Sequence, residues 1–163
     1  MVKNADELLG NARTRKLRKS REILMELIES AVESANPFSA ILRHVRVERE
    51  WLKIGSHEFN LEKIGDIVVV GGGKASAAMA EALENILGDR ITRGIVNVPE
   101  GTASGHRTRR IELTEAGHPL PTEAGVEGAK RMLAAVGGLS PRDLVISLIS
   151  GGGSALVLLP AGA

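Results

Sequence analysis

The chain has no cysteine and no tyrosine among its 163 residues. Without thiols, disulfides and thiolate zinc centres are excluded. The aromatic residues are only Phe38, Trp51 and Phe59. So small a set does not build the stacking platform that single-stranded nucleic acid requires, and nucleic acid is not an expected partner. No apolar run reaches the length of a membrane-spanning helix, so no membrane partner is expected. Neither sign of charge dominates: 21 Lys and Arg against 20 Asp and Glu leave a formal net charge of +1. That balance supplies no strong field toward a polyanion or an acidic partner. The first residues are polar and basic without an apolar core, unlike a secretory signal, and a cytoplasmic location is the expectation.

What the chain does have is a 43% hydrophobic content, enough for a core, and 19 glycines. Its length suits one domain or an incomplete piece of a larger one. Two triple-glycine turns dominate the pattern: Val68-Val69-Val70-Gly71-Gly72-Gly73-Lys74-Ala75 and Ser147-Leu148-Ile149-Ser150-Gly151-Gly152-Gly153-Ser154-Ala155. Each follows a short apolar run that reads as a buried parallel strand. Glycines at such strand ends let the backbone bend sharply and approach a ligand, and free amides there attract anions.

Around these turns the remaining elements fall in order. Met1 to Lys19 is polar, and the basic run Arg13, Arg15, Lys16, Arg18, Lys19, Arg21 reads as a solvated tail or helix face. Leu24, Leu27, Ile28, Ala31 and Val32 predict an amphipathic helix over Glu22 to Ala35, ended by Asn36-Pro37. Val45 to Ile54 alternates weakly, as a small strand pair or extended segment, and His57, Glu58 and Asn60 fall in a loop. Strands are expected at Asp66 to Val70, Ile91 to Val98, Ile111 to Ala116 and Leu144 to Ile149. A helix from about Lys74 to Leu87 presents Met79, Ala82, Leu83, Ile86 and Leu87 to the core and stops at Gly88. A second, capped by Thr122 and ending near Val136, presents Val126, Ala129, Leu133 and Val136. Alternating strands and helices predict an α/β fold: a Rossmann-like parallel sheet with helices on both faces. Ligands bind such sheets outside the carboxyl ends of the strands, where both glycine turns sit.

The first turn departs from two familiar patterns. A dinucleotide fingerprint would need glycine where Ser76 stands, and an acidic residue where Asn97 and Val98 end the next strand. A P-loop would need glycine at Val68 and a hydroxyl residue at Ala75. Lys74 at a helix start opposes the helix dipole, and a bound phosphate or carboxylate would offset that repulsion. Ser150 and Ser154 flank three glycines, a loop suited to phosphate oxygens, although not a serine-nucleophile elbow. His118, between Gly117 and Pro119, lies on the same rim. It is either a hydrogen-bonding group toward an anion or hydroxyl, or a turn histidine satisfied by carbonyls. Asp143 precedes its strand and so lies at the wrong end of the sheet for a metal on this rim. His106 with Arg107, Arg109 and Arg110 reads as a solvated basic loop.

The combination resembles a known family. Val69 to Ala75 with Met79, then Glu115-Ala116-Gly117-His118-Pro119-Leu120-Pro121, then Leu148 to Leu156 with Pro160, is similar to the glycerate 2-kinases, whose larger members end in a MOFRL domain. Some members are described as hydroxypyruvate reductases. The three motifs occur in family order and cover most of the chain from about Ala31. The resemblance implies ATP-dependent phosphorylation of D-glycerate to 2-phosphoglycerate, with magnesium, in a cleft between a Rossmann-like domain and a C-terminal domain. It makes Lys74 the catalytic or phosphate-stabilising lysine. Gly71, Gly72, Gly73, Ser150, Gly151, Gly152, Gly153, Ser154 and His118 become phosphate- or substrate-binding residues. No metal ligands stand out. The alternatives are an NAD(P)-dependent hydroxypyruvate reductase and a non-catalytic phosphate- or nucleotide-binding fragment. Family members continue well beyond Ser154, so residues 1–163 are expected to form the N-terminal part of the kinase domain, without the C-terminal domain. Catalysis by this chain alone is then doubtful. The sheet edge exposed by truncation favours self-association as a homodimer.

Overall fold

In the computed structural model of the chain, residues 2–160 are described. Of the C-terminal stretch Leu159 to Ala163, residues Ala161, Gly162 and Ala163 lie outside them. The strongest local signal, the apolar run before the first glycine turn, is β4, Ile67–Gly72. It pairs in parallel with β5, Arg93–Pro99, on one side and β7, Leu144–Ile149, on the other; β6, Ile111–Ala116, lies beyond β5. The order is therefore β6-β5-β4-β7. Helix α4, Ser76–Leu87, covers one face and α5, Glu123–Val136, the other. Ile67 and Val69 join the α4-side core, while Val70 borders Ala129 and Met132 of α5. The predicted α/β sheet with helices on both faces is thus observed.

Before the sheet come α1, Ala5–Gly10, α2, Arg15–Ser34, and α3, Pro37–His44. Thr14 accepts from the Leu17 amide and Asn36 from the Ser39 amide, capping α2 and α3. The polar beginning of the chain is therefore largely helical. Three antiparallel strands follow: β1, Val45–Glu48, β2, Trp51–Ile54, and β3, His57–Asn60. The segment predicted as a loop at His57, Glu58 and Asn60 is the third strand, because Phe59 pairs opposite Leu52. Leu52 is fully buried, and with Val45 and Leu61 it extends the core formed by Leu83 and Leu87 of α4.

Two helix readings shift. Helix α4 starts at Ser76, two residues after Lys74, and ends at Gly88, whose positive φ of 53° suits glycine. On α5 the inward residues are Gly125, Gly128, Ala129, Met132 and Ala135, whereas Leu133 is exposed. The face nearest the sheet is chosen by close approach rather than by bulk. A Cβ on Gly128 would overlap the side chain of Asn97, and one on Gly125 would press on the Leu156 carbonyl. Thr122 precedes α5 but does not cap it with its side chain; its hydroxyl accepts the amide of Gly117 at 2.9 Å.

Candidate functional site

Strands β4 and β7 are neighbours, so their glycine turns emerge side by side at the carboxyl end of the sheet. The turns lock together. The amide of Lys74 donates to the Gly151 carbonyl at 2.9 Å, and that of Ser150 to the Gly72 carbonyl at 3.3 Å. The Ala75 amide donates to Ser150 Oγ at 3.0 Å, and Ser76 Oγ to the Leu148 carbonyl at 3.0 Å. The Gly73 amide donates to the carbonyl of Asn97 at 3.2 Å.

These bonds revise the expected chemistry of the first turn. The amides of Gly73, Lys74 and Ala75, expected to face a ligand, are spent on β5 and on the second turn. The first glycines serve close approach between the turns. A Cβ on Gly71 would overlap the Leu148 carbonyl, and one on Gly73 the Ser150 hydroxyl, and both residues have positive φ. What the first turn offers outward is one group, the Lys74 side chain, which is exposed and forms no ion pair among the described residues.

The second turn differs. The amides of Gly151 and Gly152 meet no acceptor among the described residues, and neither does the exposed hydroxyl of Ser154. Gly152 adopts φ 93°. A Cβ there would lie 2.9 Å from His118 Nε2 and 3.4 Å from Lys74 Cγ, so imidazole and lysine stem flank this backbone from two sides. Gly151, by the same measure, is 4.0 Å from Lys74 Cε. Ser150, Gly152, Gly153 and Ser154, with Ile149 and Val157, line an open concavity of about 450 Å³. Lys74, His118 and the second turn are thereby brought together. Ammonium, imidazole, free amides and a hydroxyl within one rim can neutralise and orient an anion.

Asn97, which the sequence marks only as lacking an acid, takes part in holding the rim. It is fully buried at the end of β5. Its Nδ2 donates to the carbonyls of Gly125 at 3.0 Å and Leu156 at 2.7 Å, while Oδ1 has no partner among the described residues. It thus ties α5 and the short helix α6, Gly153–Leu156, to the strand whose carbonyl holds Gly73. A polar residue between the buried Val96 and Val98 is the signal in the sequence.

The other singled-out residues lie elsewhere. Asp143 is at the opposite end of the sheet, as expected. There its carboxylate accepts from the amides of Asp66 at 2.7 Å and Ser140 at 2.6 Å. Those amides, Ser140's first, hold its pKa below the ordinary carboxylate value. His57 lies on β3. The basic loop is anchored rather than merely solvated. His106 Nδ1 meets Glu81 at 2.8 Å, and the nearly buried Glu84 accepts the amides of Arg109, Arg110 and Ile111. Glu115 accepts the Ala103 amide at 2.9 Å, and the Ala103 and Gly101 amides lower its pKa. A polar hollow of about 500 Å³ between Glu81, Glu84, Asp89, Arg107 and Arg109 belongs to this loop, away from the glycine rim. Among the described residues no helix is long and apolar enough to cross a membrane.

Fold and rim together define a parallel α/β domain whose two glycine turns meet at a strand-end crevice. The family model "Domain of unknown function (DUF4147)" matches residues 23–163, and the chain belongs to that family. A protein of Agrobacterium vitis provisionally named a hydroxypyruvate reductase is 40% identical over 88% of this chain and 29% of its own length. A glycerate 2-kinase of Pyrococcus horikoshii is 38% identical over 86% of the chain and 30% of its own. Among solved structures, a Pyrococcus horikoshii protein superimposes with a TM-score of 0.76 at 38% identity, covering 88% of this chain and 32% of that one. The Thermotoga maritima glycerate kinase gives a TM-score of 0.69 at 30% identity, covering 86% and 30%. The chain thus spans about 30% of the length of these relatives.

Proposed function

We propose that this chain forms the phosphate-handling part of a glycerate 2-kinase, acting in ATP-dependent conversion of D-glycerate to 2-phosphoglycerate. The observation that carries the reading is the opposition of Lys74 to the amides of Gly151 and Gly152 across one rim, none of them paired among the described residues. Relatives named glycerate kinase share this part of the chain. Phosphoryl transfer asks little covalent chemistry of a protein; it needs position and charge neutralisation.

The unspent amides and the free ammonium fit phosphate oxygens, and ATP would supply the transferable phosphoryl group. The Lys74 ammonium compensates negative charge as it redistributes. The Gly151 and Gly152 amides and the Ser154 hydroxyl donate to phosphate oxygens and fix their direction. His118, held against Gly152, is placed to hydrogen-bond a substrate hydroxyl or carboxylate. Among the described residues no group of three or more His, Asp or Glu is positioned to hold a resident magnesium ion.

The reductase alternative is less well supported by the first turn. The place of the third fingerprint glycine is Ser76, buried and hydrogen-bonded to Leu148. Where a ribose-binding acid belongs, Asn97 is sealed under α5.

A coupled ADP-release assay with D-glycerate, on this chain and on a form extended to the relatives' length, is the test. Release in the extended form, with a product consumed by a 2-phosphoglycerate dehydratase, supports the proposal. ATP binding without release in either form would leave a phosphate-binding domain instead. Hydroxypyruvate-dependent nicotinamide oxidation would transfer the reading to the reductase.

A further inference from the structure

Three segments carry the groups that face the glycine rim. The first turn carries Lys74. The second runs into α6, which has four residues and carries Ser154. The loop of His118 runs into α5, whose first turn contains Gly125. A helix as short as α6 does not hold itself, because nucleation costs more than one turn of hydrogen bonds returns. Its position has to come from contacts outside it.

All three segments meet one buried residue. The Asn97 carbonyl accepts the Gly73 amide at 3.2 Å, one residue before Lys74. Its Nδ2 donates at 2.7 Å to the carbonyl of Leu156, the last residue of α6, and at 3.0 Å to that of Gly125. A carbonyl in the last turn of a helix has no intrahelical donor, and for α6 Asn97 supplies one. Packing holds the side chain in place: a Cβ on Gly128 would overlap Oδ1.

Stability does not account for an asparagine here. Oδ1 has no partner among the described residues, and neither does Oγ1 of Thr114, its register partner on β6. A buried acceptor left unsatisfied costs free energy that a leucine of similar shape would not incur. What the amide adds is a pair of N–H donors aimed at two different segments.

We propose that Asn97 is the positioning residue of the rim. Its carbonyl, which every substitution keeps, holds the first turn. Its side chain fixes the segments of Ser154 and His118 against that turn, and so sets the affinity of the rim for a phosphate chain. The inference rests on the phosphate-handling reading, and Asn97 acts on the ligand only through Gly73, Leu156 and Gly125.

Calorimetric titration of the chain with inorganic tripolyphosphate, which carries no base or sugar, tests it. Asn97→Leu and Asn97→Asp should bind about fivefold or more weakly than the parent, with circular dichroism unchanged. In Asn97→Asp the introduced carboxyl can donate once protonated. Its affinity, taken relative to the parent at each pH, should therefore recover in part as pH falls toward about 5, whereas Asn97→Leu should not recover. Gly72, Thr114, Gly125, Gly128 and Leu156, which surround this position, carry no charge, so the recovery reports the new carboxyl. Ile91→Val, a buried change in the α4-side core, is the control for general softening: the urea midpoint should fall and the affinity stay.

A parent that does not bind tripolyphosphate overturns the rim reading and this inference with it. A parent that binds, with Asn97 variants that bind equally well, overturns this inference alone. So does an equal loss of affinity in Ile91→Val, or a deficit in Asn97→Asp that is the same at every pH. If Asn97→Leu does not fold, the pH recovery of Asn97→Asp decides.

Discussion

The hydroxyl oxygen of Ser150 accepts the amide of Ala75 at 3.0 Å, across 75 residues of chain. The second glycine turn thereby caps the entry to α4, a role usually taken by a residue just ahead of the helix. The same oxygen lies 3.4 Å from Ser76 Oγ, which in turn bonds Leu148. Ser150 is thus structural as well as adjacent to the proposed site, whereas the Ser154 hydroxyl meets no partner among the described residues.

The two serines should therefore separate experimentally. Ser150→Ala should lower unfolding free energy by about 1 kcal/mol in urea titrations. Ser154→Ala should leave it within about 0.5 kcal/mol while weakening ATP binding measured by calorimetry. Equal stability losses would contradict the assignment.

Lys74→Ala should leave the urea midpoint almost unchanged, since the side chain is exposed and unpaired among the described residues. In a form that turns over D-glycerate, it should reduce kcat by about 100-fold or more, the scale for losing one charge-stabilising group. Lys74→Arg should recover part of that loss. Unchanged turnover in Lys74→Ala would remove the central residue of the proposal.

Gly71→Ala should be among the most damaging small substitutions. The new Cβ would overlap the Leu148 carbonyl of the neighbouring strand, at a φ of 153°. A loss of about 2 kcal/mol or more is expected, read as a fall in urea midpoint or in folded yield. Gly105→Ala is the control, because a Cβ there meets nothing within 4 Å. It should be neutral.

Asp143 gives stability a pH dependence with a definite sign. Its folded pKa is depressed, chiefly by the Ser140 amide and then by that of Asp66. Its stabilising contribution is therefore complete above the ordinary carboxylate range and fades as pH falls through the depressed folded value. Asp143→Asn should be less stable than the parent at neutral pH, and the gap should close under acid unfolding. A gap that widens in acid would contradict the assignment.

Much of the sheet was legible because buried parallel strands write themselves as local apolar runs. Ile111–Ala116 and Leu144–Ile149 have the limits expected of them. The helices were less legible where packing favours smallness. On α5 the visible stripe of Val126 and Leu133 lost to Gly125 and Gly128, because Asn97 and Leu156 come too close for larger residues. The anchoring of Arg109 and Arg110 by Glu84 depends on a contact 25 and 26 residues distant, which no local pattern carries. At the rim, the gathering of lysine, histidine and serine-flanked glycines on strand ends could be anticipated. Which amides remained unspent could not, since that follows from how one turn bonds the other.

The sheet order β6-β5-β4-β7 sets a timetable for synthesis. The first turn is made at residues 71–73, but β7, the strand that supports its partner, is the last of the four to be made. Until then Gly71 faces an open edge, and the amides of Lys74 and Ala75 must be satisfied by water. The rim cannot exist on the emerging chain; it closes only when β7 docks against β4, a long-range parallel pairing of the intrinsically slow kind. A chaperone or a protease meeting the chain before that moment would find a partly built sheet whose two glycine turns have not yet met.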